Sequence, residues 1–142
     1  MAQVLTEGTL SGSSSTRKTV NVVLWVLQIA AAAMFLMVGF LKLSGNAQML
    51  GLFEAIGIGQ WFRYLTGTLE VAGAILLLIQ RTSGLSALML AGVMASAVVT
   101  HLFIVGGSPL GAIILLVITT LVAWGRRRRT MNVLGGLRSG LR

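Results

Sequence analysis

Four long apolar runs alternate with short polar breaks along the chain, at about residues 22–43, 61–79, 85–104 and 109–124. A helix rises 1.5 Å per residue, so roughly 20 such residues cross the ~30 Å hydrocarbon core of a bilayer. The runs are far too long and too uniformly apolar for half-buried strands, which predicts an all-α membrane protein. The linkers Gln80 to Gly84 and Val105 to Ser108 leave room only for antiparallel neighbours. An up-down bundle of four helices over residues 20–125 follows. The fourth run is the shortest. Ser108 suits its N-cap and Pro109 its first turn, and local bilayer thinning with snorkelling arginines absorbs the missing length.

The segments between and beyond the runs complete the layout. The first loop, Ser44 to Gln60, carries Met49, Leu50, Leu52, Phe53, Ala55, Ile56 and Ile58. It is too apolar for a free loop and too short to span, which predicts a short interfacial or re-entrant helix capping the outer end of the bundle. Met1 to Thr19, with Ser11, Gly12, Ser13, Ser14, Ser15 and Thr16, lacks the large apolar groups that repay ordering. It is expected to be a disordered tail. Residues 126–142 form a basic tail. A cleaved leader is the rival reading of the first run, but an h-region spans about 7–15 residues and this run is longer.

Composition agrees with this layout: of 142 residues, 56% are hydrophobic and 10% charged, with a mean hydropathy of +0.92. That leaves too few polar side chains to coat a water-soluble domain. One domain accounts for the length. The absence of cysteine excludes disulfides, thiolate metal sites and thiol relays within the chain. The net charge of +8 raises nucleic acid as a partner, but Arg126 to Arg129 directly follow an apolar run. That is the pattern of a stop-transfer flank among anionic headgroups, and no aromatic or glycine-rich binding pattern accompanies it. The lipid bilayer, not nucleic acid, is the expected partner. Counting basic residues, nine (Arg17, Lys18, Arg81, Arg126 to Arg129, Arg138, Arg142) fall on one side and two (Lys42, Arg63) on the other. This places both termini in the cytoplasm, in a bacterial cytoplasmic membrane with the first loop outside.

Candidate chemistry rests on four ionisable residues in or beside the runs: Lys42, Arg63, Glu70 and His101. A carboxylate in mid-helix costs about 3 kcal/mol to insert, so Glu70 should face the bundle with a partner. Gly67 and Gly73, three residues to either side, permit close approach there. Lys42, Arg63 and His101 all fall toward the outer half, with Thr66, Thr68 and Thr100 nearby in sequence. Donors and a proton acceptor at one depth suit a quinone headgroup or a proton relay. The plainer readings are that Lys42 and Arg63 snorkel to the boundary and that Glu70 pairs with Lys42 or His101 to fix packing. A lone histidine without cysteine cannot build a tetrahedral zinc site or hold haem from both faces, so no metal is expected. The seven methionines follow no regular spacing and read as filler. Gly92 and Ser96 form a small-xxx-small pair for packing within the bundle or for self-association.

The order of these features resembles the DoxX-like family of small four-helix membrane proteins. Three segments carry the likeness: Val38-Gly39-Phe40-Leu41-Lys42-Leu43, the stretch from Gln60-Trp61-Phe62-Arg63 through Glu70 to Ala74, and Thr100-His101. With the helix spacing it runs from about Val22 to Trp124, leaving the serine-rich head and arginine-rich tail outside. The resemblance implies a link to membrane redox chemistry, including thiosulfate:quinone oxidoreduction and oxidative-stress complexes, with Lys42, Arg63, Glu70 and His101 as the matching polar positions. It transfers no enzyme activity, and no catalytic residue is assigned. The leading expectation is a membrane subunit that binds a quinone-like or other small hydrophobic molecule and works with a redox protein partner. The alternatives are a non-catalytic anchor or assembly factor and a small-solute or proton transporter. The last is disfavoured because no helix breaks in mid-membrane and no inverted repeat is evident.

Overall fold

The computed structural model describes residues 2–141, with side-chain surroundings from Ser14 onward. The described residues fold as α1 (Ala2–Leu43), α2 (Ala47–Ile56), α3 (Gln60–Leu78), α4 (Ser83–Thr100), a π-helical turn (His101–Val105) and α5 (Leu110–Gly140). Helices α1, α3, α4 with its π-turn, and α5 are each long and apolar enough to cross a membrane. The expected all-helical bundle with a short apolar helix in the first loop is borne out. Helix α1 packs on α3, α3 on α4, α4 on α5 and α5 back on α1, closing a ring around one core. Helix α2 lies across one end, against α3, the π-turn and α1.

Each helix buries one stripe. On α3 it reads Arg63, Thr66, Gly67, Glu70, Gly73, Ala74 and Leu77, the three- and four-residue steps of a single helical face. The facing stripe of α1 includes Gln28, Ala31, Ala32 and Phe35. Leu77 of α3 and Leu90 of α4 are both fully buried. Small residues let the backbones approach: a Cβ on Gly39 would lie 2.8 Å from Val71 Cγ2 and 3.0 Å from the Gly67 carbonyl. One on Gly73 would lie 2.7 Å from Leu90 Cδ2. Without a solvent-driven hydrophobic force between helices in lipid, this close packing is what holds them. Gly67 plays the expected part, meeting Lys42 and Leu43. Gly92 does not: nothing lies within 4 Å of its would-be side chain, and Ser96 on the same face is exposed too. Gly92 therefore makes no close contact inside the bundle.

Helix ends differ from the expectation in three places. In place of a disordered head, α1 runs back to Ala2. Once the apolar half has nucleated a helix, each further residue adds a hydrogen bond at little cost, and Thr19 Oγ1 donates to the Ser15 carbonyl at 3.1 Å. At the other terminus α5 continues from the fourth run through the arginines to Gly140. Met1 and Arg142, counted with the tails, lie outside the described residues. The third run ends in a widened π-turn, closed by Gly106 with φ +73°, a conformation that favours glycine. Helix α2 is capped at one end by Asn46, whose side chain accepts from the Gln48 N–H, and at the other by left-handed Gly57.

Replacing Gly39 by Val should lower unfolding stability in detergent by about 1–3 kcal/mol, the usual cost of overpacking a tight contact. Gly92→Val, which enters open space, should stay within about 0.5 kcal/mol. Equal effects in a thermal unfolding series would show that Gly39 is not at a close helix contact.

Candidate functional site

The site begins with the geometry of one buried acid. Glu70 is fully buried on the inner stripe of α3, and Lys42, one residue before the end of α1, reaches it with Nζ 2.5 Å from Oε1. This is the ion pair among the described residues, and it joins α1 to α3 where Gly39 and Gly67 bring the two backbones together. Lys42 Nζ also lies 5.8 Å from the centre of the Phe53 ring on α2. The second carboxylate oxygen, Oε2, is buried and accepts no hydrogen bond from any described residue.

Arg63 and Gln60 complete the frame. Arg63 is buried, not snorkelling at the boundary as its position suggested. Its Nη1 donates to the Lys42 carbonyl, one of the acceptors that a helix C-terminus leaves without an internal partner. Its Nε donates to Gln60 Oε1 at 2.8 Å, and Gln60 Nε2 donates to the Leu50 carbonyl at 3.3 Å. Arg63 thus ties the end of α1, the start of α3 and the capping helix α2 into one unit. It acts on the site by holding Lys42 in place.

Lys42, Glu70 and His101 share the wall of one cavity of about 240 Å³; Arg63 stands outside it. The remaining wall is mostly apolar, with Phe35 and Met34 from α1, Phe53 from α2, Met94 from α4 and Leu115 from α5 among its members. Thr66, Ser96 and Thr100 add hydroxyls, and Ser96 thereby has a place in the wall that its assignment to packing did not foresee. Thr68 is exposed. His101 opens the π-turn, its Nδ1 3.2 Å from the Gly106 carbonyl. A cavity of roughly 150 Å³ is enough to hold benzene, so this one has room for a substituted ring.

A second polar cluster, at the opposite end of the bundle, was missed in the sequence. Arg126 is buried, not part of the exposed basic tail. Its Nε donates to Gln28 Oε1 at 3.0 Å and its Nη1 to Asn21 Oδ1 at 2.8 Å, while Gln28 Nε2 donates to the Leu77 carbonyl at 2.7 Å. Three helices are thereby clasped by hydrogen bonds, with Arg126 Nη2 buried and without a partner among the described residues. The signal was present: the buried positions of α5, Leu115, Thr119, Val122 and Arg126, advance by four, three and four.

Removing one member of a buried ion pair strands the other charge, so Lys42→Met should destabilise the bundle by about 3–5 kcal/mol. The double variant Lys42→Met with Glu70→Leu should regain most of that loss. A denaturant-unfolding cycle checks this; a double variant no more stable than Lys42→Met alone would mean that the two charges are not energetically coupled.

Neither a curated protein nor a solved structure matches the chain. The profile of the DoxX-like family matches residues 26–125, which takes in the cavity, both polar clusters except Asn21 and Arg126, the whole of α3 and α4, and the parts of α1 and α5 that face them. With those helices the match makes this an integral membrane protein, and the chain belongs to the DoxX-like family.

Proposed function

We propose that the chain is a membrane subunit of a redox-linked complex and binds a quinone-like or other small hydrophobic molecule in the cavity between Glu70 and His101. The observation that carries this reading is the Oε2 atom of Glu70, a buried carboxylate oxygen without a partner among the described residues, in the wall of an otherwise apolar cavity. An unpaired buried acceptor costs about 1–3 kcal/mol or more, and a donor group on a molecule in the cavity would recover that cost. Here one oxygen serves the bundle and the other is left for a ligand. Lys42 and Glu70 would hold the ring's polar substituents, and the apolar wall would hold the ring itself. With no redox group of its own among the side chains, the chain depends on a partner for electrons. The excess of basic residues at the Arg126 end supports cytoplasmic termini in a bacterial cytoplasmic membrane, with the cavity toward the outer face.

A second reading, a non-catalytic anchor or assembly factor, is favoured by a different observation. Gly92 and Ser96 lie on an exposed face of α4 with no neighbour against Gly92, a surface on which a partner helix or a second copy could pack closely.

Native mass spectrometry from nanodiscs discriminates the two. The ligand reading expects a small hydrophobic molecule to leave with the wild-type protein and to be lost from Glu70→Gln and weakened in His101→Ala. A stoichiometric protein partner without any small molecule, retained by both variants, would instead support the anchor.

A further inference from the structure

The hydrogen-bonding character of the cavity narrows the ligand class, an inference that rests on the cavity being a ligand site. Six polar side chains line it: Lys42, Thr66, Glu70, Ser96, Thr100 and His101. A hydroxyl has one proton to give and two lone pairs. All three hydroxyls give theirs to carbonyls of their own helices: Thr66 to Phe62 at 3.1 Å, Ser96 to Val93 at 2.7 Å and Thr100 to Ser96 at 2.8 Å. They meet a ligand with lone pairs alone. His101 Nδ1 lies 3.2 Å from the Gly106 carbonyl, an acceptor, so that ring nitrogen is turned to the backbone of its own turn. Glu70 Oε2 is an acceptor with no donor among the described residues.

The side-chain donor beside these acceptors is Lys42, whose ammonium gives one of its three N–H groups to Glu70 Oε1, with Nζ 2.5 Å away, and reaches Oε2 with none. Gly111 and Ala112, in the first turn of α5, belong to the cavity wall as well, and N–H groups of a first turn have no partner within their helix. They can hold an acceptor atom of the same ligand, but they do not satisfy Glu70. We infer that the cavity selects a hydrogen-bond donor, a hydroxyl-bearing ring of the phenol or hydroquinone class, over the oxidised quinone or any ring that only accepts. A carbonyl oxygen placed against Oε2 would set two acceptors together, whereas a phenolic O–H meets it with a charge-assisted hydrogen bond.

The test uses two redox-inert probes of nearly equal shape, 4-hexylphenol and its methyl ether 4-hexylanisole, titrated calorimetrically into the full-length protein in nanodiscs, with empty nanodiscs subtracted for partitioning. The wild-type protein should bind the phenol about tenfold more tightly or better, the effect of one hydrogen bond to a charged acceptor. In Glu70→Gln, where the amide O can serve Lys42 and turn the NH₂ toward the ligand, the preference should vanish or reverse. Equal wild-type affinities for the two probes, or a preference that survives Glu70→Gln, would overturn the donor selection while leaving the cavity a binding site. Binding of neither probe would overturn the ligand site itself. The wild-type comparison stands even if the variant fails to fold.

Discussion

A carboxylate with no exposure at mid-helix, in a chain whose described residues offer it a single ammonium, is the feature on which the rest of the structure depends. In a medium of low dielectric such a charge is tolerable only beside an opposite one with good geometry. Lys42 can supply that geometry because Gly39 and Gly67 bring α1 and α3 into backbone contact. It stays there because Arg63 holds its carbonyl from the start of α3. Helix α2, fastened through Leu50 to Gln60, closes the same end. The packing glycines, the buried arginine and the capping helix thus serve one ion pair. The cavity lies beside it.

The two ends of the bundle meet the problem of interior polarity differently. Near α2 a charge is neutralised by a charge, with one oxygen left over. At the other end Arg126 is held by the amides of Gln28 and Asn21 with no carboxylate among its contacts. Amides offer partial charge and fixed direction, which suits a clasp across α1, α3 and α5. A leftover carboxylate oxygen in an apolar hollow is a different object, an acceptor strong enough to choose among ligands. Arg126 also has a buried atom without a partner among the described residues, Nη2, but it stands outside the cavity that Glu70 lines, which favours placing the chemistry at Glu70 and structural duty at Arg126.

Most of the architecture was legible because it follows from one-dimensional quantities. Apolar run length sets the number of crossings, linker length sets their antiparallel order, and the apolar content of residues 44–60 marks the capping helix. Lys42, Glu70 and His101 could be placed at similar depth by the same counting. What could not be read depends on rotation about helix axes and on rotamers. Arg63 and Arg126 occupy boundary positions where long side chains ordinarily snorkel, and only the phase of the buried stripes shows that both turn inward. Gly92 looked like its counterparts Gly67 and Gly73, yet nothing lies within 4 Å of its would-be side chain. The acceptor character of the cavity was hidden for a related reason: Thr66, Ser96 and Thr100 count as donors by residue type, and become acceptors only once their protons go to their own helices.

The claim beneath all of this is that Glu70 is an ionised carboxylate held by Lys42. Because the chain contains three acidic residues, Glu7, Glu54 and Glu70, infrared spectroscopy of protein labelled with ¹³C-carboxyl glutamate can isolate it as a difference between wild type and Glu70→Gln. The expected result is an ionised-carboxylate band that is absent from Glu70→Gln and displaced in Lys42→Met. A protonated-acid band in the wild type, or a carboxylate band that Lys42→Met leaves unmoved, would contradict the account.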